Sequence, residues 1–150
     1  MERRKPENQL IISQEQFLRV LKVEGIPLRT RALMSLIYLT GARISEVLPL
    51  KKENIYKEWP HWNFSMKVLK RKKLIMRSAL IRISEENQVF LDYIFNYINS
   101  HNSEYLFPSS QGGHIKRIWG WTLINKVFAW PHFLRHLRCT HLAQKGLSAF

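Results

Sequence analysis

Acidic residues are scarce in this sequence and unevenly placed. Lysine and arginine together number 24 against 11 acidic residues, which gives a formal net charge of +13 at pH 7 over 150 residues. No acidic residue occurs between Glu58 and Glu85, and none follows Glu104. A basic excess concentrated in two acid-free tracts is typical of a protein that binds a polyanion, so nucleic acid is the expected partner. The alternative to nucleic-acid binding is that the excess charge only gives the protein a generally basic, solvated surface.

Aspartate is nearly absent, since Asp92 is the only one. A metal-dependent nuclease needs clustered carboxylates, and that class is therefore excluded. The sequence has no glycine-rich phosphate loop, and the histidines at positions 132, 136 and 141 spread over too wide an angle of one helix to be three zinc ligands. No metal site and no cofactor is expected.

Cysteine and long apolar runs are also lacking. The single cysteine, Cys139, excludes an internal disulfide and a cysteine-rich zinc site, and it favours a reducing, intracellular setting. The polar residues 1–9 do not form an export signal, and no apolar run is long enough to span a membrane. We expect a cytoplasmic, DNA-associated protein without a membrane partner.

The hydrophobic pattern predicts one folded domain, residues 13–150, after a basic tail or linker, residues 1–12. The fold class is α+β, mainly α-helical, with a small antiparallel β-hairpin or sheet. Capping residues, apolar periodicity and glycine or proline breaks predict the following elements: helices over 14–24 and 29–39, a short helix from Arg43, a β-hairpin over 63–83, a helix over 84–98, a loop at 111–113, and helices over 119–128 and from Pro131 to Gly146.

The segment 40–50, with the sequence TGARISEVLPL, presents Arg43 at the start of the short helix. Arginine carries a planar fork of donors that binds two oxygens of a phosphate at once. Glu46 lies three residues later, and we expect its carboxylate to hold the Arg43 guanidinium in place.

The last predicted helix carries a second arginine beside histidines. At helical spacing His132, Arg135 and His136 fall on one side, and the apolar residues at 133, 134 and 137 fall on the other. The apolar side should dock on the core and leave the polar side facing a cleft. His141 lies nearer the apolar side, and we expect a core histidine there.

Between these segments, the predicted hairpin carries a basic tip. Its strands flank the run Lys70, Arg71, Lys72 and Lys73. These residues, with Lys67 and Arg77, are candidate contacts to DNA phosphates, which give salt-dependent and largely sequence-independent affinity. We expect Arg43, Arg135 and His132 to converge on one concave basic surface with this hairpin at its rim.

Together these segments resemble the catalytic domain of the tyrosine recombinases, the integrase family. One family box matches residues 40–50, and the second matches His132-x-x-Arg135-His136, continued by residues 140–142 and Gly146. The basic hairpin and the Leu-Phe-Pro segment at 106–108 occur between them in the family's order. The resemblance covers almost the whole chain from about Ser13 onward, and ordered boxes are a stronger signal than one short motif.

The resemblance implies metal-free phosphoryl transfer, in which a tyrosine attacks a DNA phosphate and forms a 3′-phosphotyrosyl link. It gives Arg43 and Arg135 the part of stabilising the transition state, His132 a part in proton transfer, and Glu46 and His136 supporting parts. A hairpin lysine would protonate the departing 5′-oxygen. Lys70 is favoured and Lys72 is the alternative, because the turn departs from the family's glycine-lysine-glycine form.

The family pattern continues after the second box with a nucleophilic tyrosine, and none of the five tyrosines here follows that box. The resemblance therefore implies an incomplete catalytic domain over residues 13–150, inactive for cleavage by itself. Its partner would be double-stranded DNA, on which the full-length form would assemble as a homo-oligomer.

Two other functions compete with recombination. The first is a non-catalytic DNA-binding fragment or regulator derived from an integrase. The second is an RNA or single-strand binder that stacks bases on tryptophans, although tryptophans at helical spacing are more often in a core. The candidates for such stacking are Trp119, Trp121 and Trp130.

Overall fold

The computed structural model describes residues 12–127 and 131–146, and it confirms the predicted α+β class. The helices are α1 Gln14–Leu21, α2 Leu28–Thr40, α3 Ile44–Val47, α4 Glu85–Ile98, α5 Arg117–Asn125 and α6 Pro131–Gln144. The strands are β1 Ile55–Glu58, β2 His61–Lys70 and β3 Lys73–Arg82, and a 3₁₀ turn at Lys52–Asn54 precedes β1. Of the expected tail, only Ile12 lies within the described residues, and its side chain is buried in the core.

Helix α1 begins at the predicted capping box. The Gln16 backbone N–H donates to Ser13 Oγ at 3.1 Å, and the Ser13 backbone N–H donates to Gln16 Oε1 at 2.7 Å. The helix ends at Leu21, three residues before the expected end at 24, because the next hydrogen bonds tighten to i→i−3 spacing. Gly25 then turns the chain with φ of 93°.

Helix α2 forms the centre of the molecule and packs against α4, α5 and α6. Every side chain from Ala32 to Thr40 is buried, so this part of the helix has no solvent face. Phe17 of α1 and Phe90 of α4 meet Tyr38 of α2 with ring centroids 4.7 and 5.0 Å from the tyrosine ring. This aromatic cluster joins the three helices.

The sheet is antiparallel in the order β1-β2-β3. The predicted hairpin is confirmed, with Phe64, Met66 and Val68 buried along β2. Strand β1 was not predicted: its four residues are mostly exposed, so they lack the alternation that marks a half-buried strand. It forms because its backbone pairs with β2 from Ile55↔Phe64 to Glu58↔His61.

Helix α5 begins at Arg117, two residues before the expected start at 119, and it ends at Asn125, three residues before the expected end at 128. Gly120 of α5 packs directly on α3. A Cβ atom at Gly120 would lie 3.0 Å from Ile44 Cδ1 and 3.1 Å from Leu48 Cδ1, so the ends of these two side chains would have to shift to accommodate a larger residue. The glycine therefore lets α5 pack closely on α3.

Helix α6 begins at Pro131, where a missing N–H costs nothing, and Gly146 follows it with φ of 72°. Phe133, Leu134 and Leu137 are buried, whereas His132 is exposed, as the helical spacing predicted. In the described part of the chain, no helix is both long and apolar enough to cross a membrane.

Candidate active site

A tight turn after α2 places Arg43. Gly41 caps α2 in the left-handed conformation, with φ of 65°, and its N–H donates to the Ile37 carbonyl at 2.9 Å. The Thr40 hydroxyl donates to the Leu36 carbonyl at 2.6 Å and accepts from the Ala42 N–H at 3.2 Å. The chain reverses within these residues, and Arg43 becomes the N-cap of α3 with an exposed side chain.

Two arginines from distant parts of the chain bind this turn. Arg135 Nε donates to the Gly41 carbonyl at 2.9 Å, and Arg77 Nη2 donates to the Thr40 carbonyl at 3.2 Å. Helix α6 and strand β3 are thereby tied to the segment that carries Arg43. The Arg135 guanidinium is held through Nε, and the side chain still carries two NH₂ groups.

Arg43, His132 and Arg135 line one cavity of about 450 Å³. The expected convergence of these three residues is therefore confirmed. The lining residues are Arg43, Ile44, Ser45, Arg117, Trp121, Pro131, His132 and Arg135. We call this the arginine cavity. Among the described residues, three arginines and no acidic residue line it, which suits a ligand with negative charge.

Burial and neighbouring cations set the protonation of this cavity. Burial lowers the pKa of Arg135, and the charge of Arg43 lowers it further, against the opposing charge of Glu46. Although the His132 side chain is largely exposed, partial desolvation of its imidazole lowers its pKa from the ordinary value, and the Arg135 charge adds to that effect. His132 is accordingly neutral at pH 7, so its imidazole can accept a proton.

The spacing had suggested that Glu46 holds the Arg43 side chain, and this expectation is wrong. Its Oε1 atom accepts a hydrogen bond from the Arg43 backbone N–H at 2.8 Å. The carboxylate thus satisfies a donor at the first turn of α3, which is the usual part of an acidic residue at that position. His136 is exposed and does not line the arginine cavity, but its charge lowers the pKa of His132.

The hairpin tip does not line the arginine cavity. Arg71 and Lys72 form a two-residue turn with φ of 50° and 66°, and Lys70 pairs with Lys73 across it. Because side chains alternate along a strand and cross-strand partners share a face, Lys70 and Lys73 share the face of Arg77 and Met66. Lys67 lies on the other face and lines a separate cavity with Glu46.

Arg77 differs from the other expected phosphate contacts. Its side chain is half-buried and binds the Thr40 carbonyl, so part of its donor capacity serves the protein itself. Arg77 lines a different cavity, together with Thr40 and Gly41, and its charge also lowers the pKa of Arg135.

Residues 12–149 match the sequence model of the phage integrase family. The chain belongs to this family. It is 28% identical to the tyrosine recombinase XerD of Haemophilus ducreyi, over 90% of this chain and 49% of that protein. It is 29% identical to the TnP I resolvase of Bacillus thuringiensis, over 80% of this chain and 42% of the resolvase. The expected resemblance to tyrosine recombinases is thus confirmed.

Solved structures of recombinases share the fold. The XerH site-specific recombinase bound to its difH substrate superimposes with a TM-score of 0.69 at 21% identity, over 88% of this chain and 41% of that chain. A lambda integrase dimer bound to a core site gives a TM-score of 0.66 at 16% identity, over 93% of this chain and 54% of that chain. At sequence identities this low, the structural similarity establishes the fold alone. The present chain spans about half the length of the curated relatives it matches.

Sequence patterns missed Arg117 of the arginine cavity, and they named Trp121 only as a candidate for base stacking in an alternative function. The helix that carries them was predicted to begin at Trp119, which left Arg117 in a loop. Helical spacing offered a signal, because residues at i and i+4 share a face. The spacing alone did not indicate that this face of the helix points towards Arg43 and Arg135.

All five tyrosines are described, and none lines the arginine cavity. Tyr38 is buried, and its hydroxyl lies 2.5 Å from His141 Nδ1. His141 Nε2 lies 2.8 Å from the Ile12 carbonyl, so Nε2 donates there and Nδ1 accepts from the tyrosine. This confirms His141 as a core histidine. The described residues contain no group of three or more candidate metal ligands.

Proposed function

We propose that these residues form the phosphate-binding part of the catalytic domain of a site-specific DNA recombinase. The observation that carries the proposal is the convergence of Arg43, His132 and Arg135 in one cavity without a lining carboxylate. The reaction is the breaking and rejoining of a DNA strand through a 3′-phosphotyrosine. It needs no metal, because guanidinium groups supply the positive charge.

The geometry suits the charge that develops during phosphoryl transfer. Non-bridging oxygens gain negative charge in the transition state, and donors held in place beforehand stabilise it without reorganisation. Arg135 is held by the Gly41 carbonyl at 2.9 Å, and Arg43 begins a helix whose first turn is closed by Glu46. His132 has a lowered pKa and takes the proton of the attacking hydroxyl.

The leaving 5′-oxygen needs a proton, and a hairpin lysine supplies it in this proposal. Lys70 is the better candidate because it shares the strand face of Arg77, whose side chain reaches Thr40. Lys72 is in the turn and is the alternative. The attacking tyrosine would come from outside these 150 residues, since no tyrosine lines the arginine cavity.

Double-stranded DNA is the proposed partner, and assembly of several copies on DNA belongs to the same proposal. Relatives of the same fold support it: XerH was solved bound to its difH substrate, and lambda integrase as a tetramer bound to a Holliday junction. The net charge of +13 complements such a polyanion. An intracellular, DNA-associated location follows from this partner.

Charge-conserving variants test the arginine cavity. We expect Arg43→Lys and Arg135→Lys each to weaken binding of a 20-base-pair duplex about tenfold, because lysine cannot form the bidentate fork. Arg19→Lys, at an exposed position of α1, is the matched control and should bind as the unaltered chain does. Fluorescence anisotropy at low salt measures the affinity. If all three variants bind alike, or the unaltered chain does not bind, the proposal fails.

A non-catalytic DNA-binding regulator is the second candidate, and the absence of a tyrosine from the arginine cavity favours it. A nicked suicide duplex separates the two functions. The 150-residue chain should form no covalent adduct on a denaturing gel, since a cavity without a nucleophile only binds. If the reading frame continues past Phe150 into a tyrosine-bearing segment, the longer protein should form the adduct, and Arg43→Lys should abolish most of it. An active longer protein rejects the regulator, and an inactive one rejects the recombinase.

A further inference from the structure

Helix α5 lies between two basic cavities. Arg117 and Trp121, one helical turn apart, line the arginine cavity. Lys116, Trp119 and Lys126 line a second cavity of about 630 Å³ together with the 108–115 loop. Gly120 and Ile124 face the core between these two sides. Helix α5 therefore presents two different polar surfaces from one short element.

The arginine cavity holds more positive charge than one phosphate requires. Arg43 and Arg135 already form a two-arginine site, and the charge of Arg43 lowers the pKa of Arg135. Arg117 adds a third guanidinium to the same 450 Å³. No acidic residue follows Glu104 in the sequence, so α5 and α6 bring no carboxylate to offset this charge. Three like charges in one cavity favour a ligand with more than one anionic group.

Trp121 adds an apolar surface beside these cations, with a fractional exposure of 43% for the residue. A large aromatic ring next to arginines suits a ligand that alternates charged and apolar groups. The backbone of DNA has that character, because a deoxyribose separates neighbouring phosphates.

The Gly120 contact fixes Arg117 relative to Arg43. Gly120 packs on Ile44, the residue after Arg43, and a Cβ atom there would lie only 3.0 Å from Ile44 Cδ1. The first residue of α5 and the N-cap of α3 thus belong to two helices in direct contact. The packing of α5 on α3 therefore sets the distance between Arg117 and Arg43.

We propose that Arg117 and Trp121 form a second phosphate subsite in the arginine cavity. Arg117 binds the phosphate next to the one held by Arg43 and Arg135 on the same strand, and Trp121 packs against the deoxyribose between them. This subsite rests on the proposed binding of duplex DNA, and it adds a sequence-independent contact that holds the strand in register.

Duplex binding at several salt concentrations tests the subsite. Arg117→Ala should weaken binding of two unrelated 20-base-pair duplexes about equally, by roughly tenfold, and should reduce the slope of log affinity against log salt by about 0.9. Trp121→Ala should weaken binding without changing the slope. Arg19→Ala removes the same charge from an exposed position of α1 and should leave affinity and slope unchanged.

The outcomes separate this inference from the proposed function. If Arg43→Lys weakens binding but Arg117→Ala matches Arg19→Ala, the subsite is rejected and the two-arginine site remains. An Arg117→Ala variant that changes specificity between the two duplexes also rejects it, because the contact would then involve bases. If the unaltered chain binds neither duplex at low salt, both proposals are rejected. Circular dichroism of each variant confirms that it is folded.

Discussion

Arg135 illustrates how one side chain serves both the structure and the site. Its Nε atom donates to the Gly41 carbonyl at 2.9 Å, and its guanidinium lines the arginine cavity. The hydrogen bond fixes the plane of the guanidinium before a ligand arrives, which lowers the cost of binding. Lysine has one nitrogen at its tip and cannot do both at once.

His132 is expected to titrate below an ordinary histidine. Burial and the Arg135 charge both lower its pKa, so Arg135→Met should raise that pKa towards about 6.5, the value of a free histidine. Lys126→Met removes a charge that is not among the causes of this shift and should leave the pKa unchanged. The His132 ring proton, followed by NMR over pH, gives the measurement. A pKa that does not respond to Arg135→Met would contradict the assigned cause.

Tyr38→Phe should destabilise the protein by about 1–3 kcal/mol, because it leaves the buried Nδ1 atom of His141 without a donor. The hydroxyl that is removed lies 2.5 Å from that nitrogen. Tyr93→Phe is the control: the Tyr93 ring lies under the Arg31 guanidinium, and this contact survives loss of the hydroxyl. Urea unfolding measures the free energy of unfolding of both variants. An equal loss of stability in the two would show that the hydrogen bond between Tyr38 and His141 contributes little.

At the scale of elements, the hairpin turn is an unusual feature of this chain. A two-residue hairpin turn with positive φ at both positions normally uses asparagine and glycine, whereas Arg71 and Lys72 occupy these positions here. Residues with a Cβ atom are strained in this region. The basic tip is therefore retained at a cost in stability, which is consistent with a part in binding.

Replacing Arg71 and Lys72 by Asn and Gly should stabilise the hairpin by about 1–2 kcal/mol, because the new residues accept positive φ. The same change removes two positive charges and should weaken duplex binding. Arg82→Asn, at the exposed end of β3, removes a charge without altering the turn and should give no gain in stability. Thermal unfolding followed by circular dichroism compares them. A double variant that is less stable than the unaltered chain would show that the turn is not strained.

For the whole molecule, burial of histidines predicts a loss of stability in mild acid. Burial of His141 and partial desolvation of the His132 ring lower the pKa of both histidines in the folded state. The unfolded chain therefore takes up more protons as pH falls below about 6.5, and the free energy of unfolding falls with it. Above that pH both histidines are neutral in either state and add no pH dependence.

His141→Gln should reduce this loss, since it removes one of the two histidines. The control is His61→Gln, at a half-buried position of β2 that is not among the causes of either pKa shift. The measurement is the free energy of unfolding in urea between pH 7.5 and 5, a range chosen around about 6.5. If the free energy of unfolding of His141→Gln falls with pH as steeply as that of the unaltered chain, His141 is not the cause of the acid destabilisation.

The sequence by itself determined the fold class, most of the helices, the hairpin and the two family boxes. These features depend on spacing within short segments, such as the buried and exposed sides of α6 or the alternation along β2. Arg43, His132 and Arg135 could be named as one site because the family boxes carry a relation between distant segments. Periodicity alone offers no such relation.

Only the tertiary structure decided which distant residues complete the site. The Arg135 bond to Gly41 spans 94 positions and the Arg77 bond to Thr40 spans 37, and local patterns do not encode such pairs. Strand β1 forms only because its backbone pairs with β2, since its own sequence lacks the alternation of a strand. Arg117 enters the arginine cavity because Gly120 lets α5 approach α3. Each depends on contacts formed when the chain packs, since the free energy of those contacts outweighs weak local preferences.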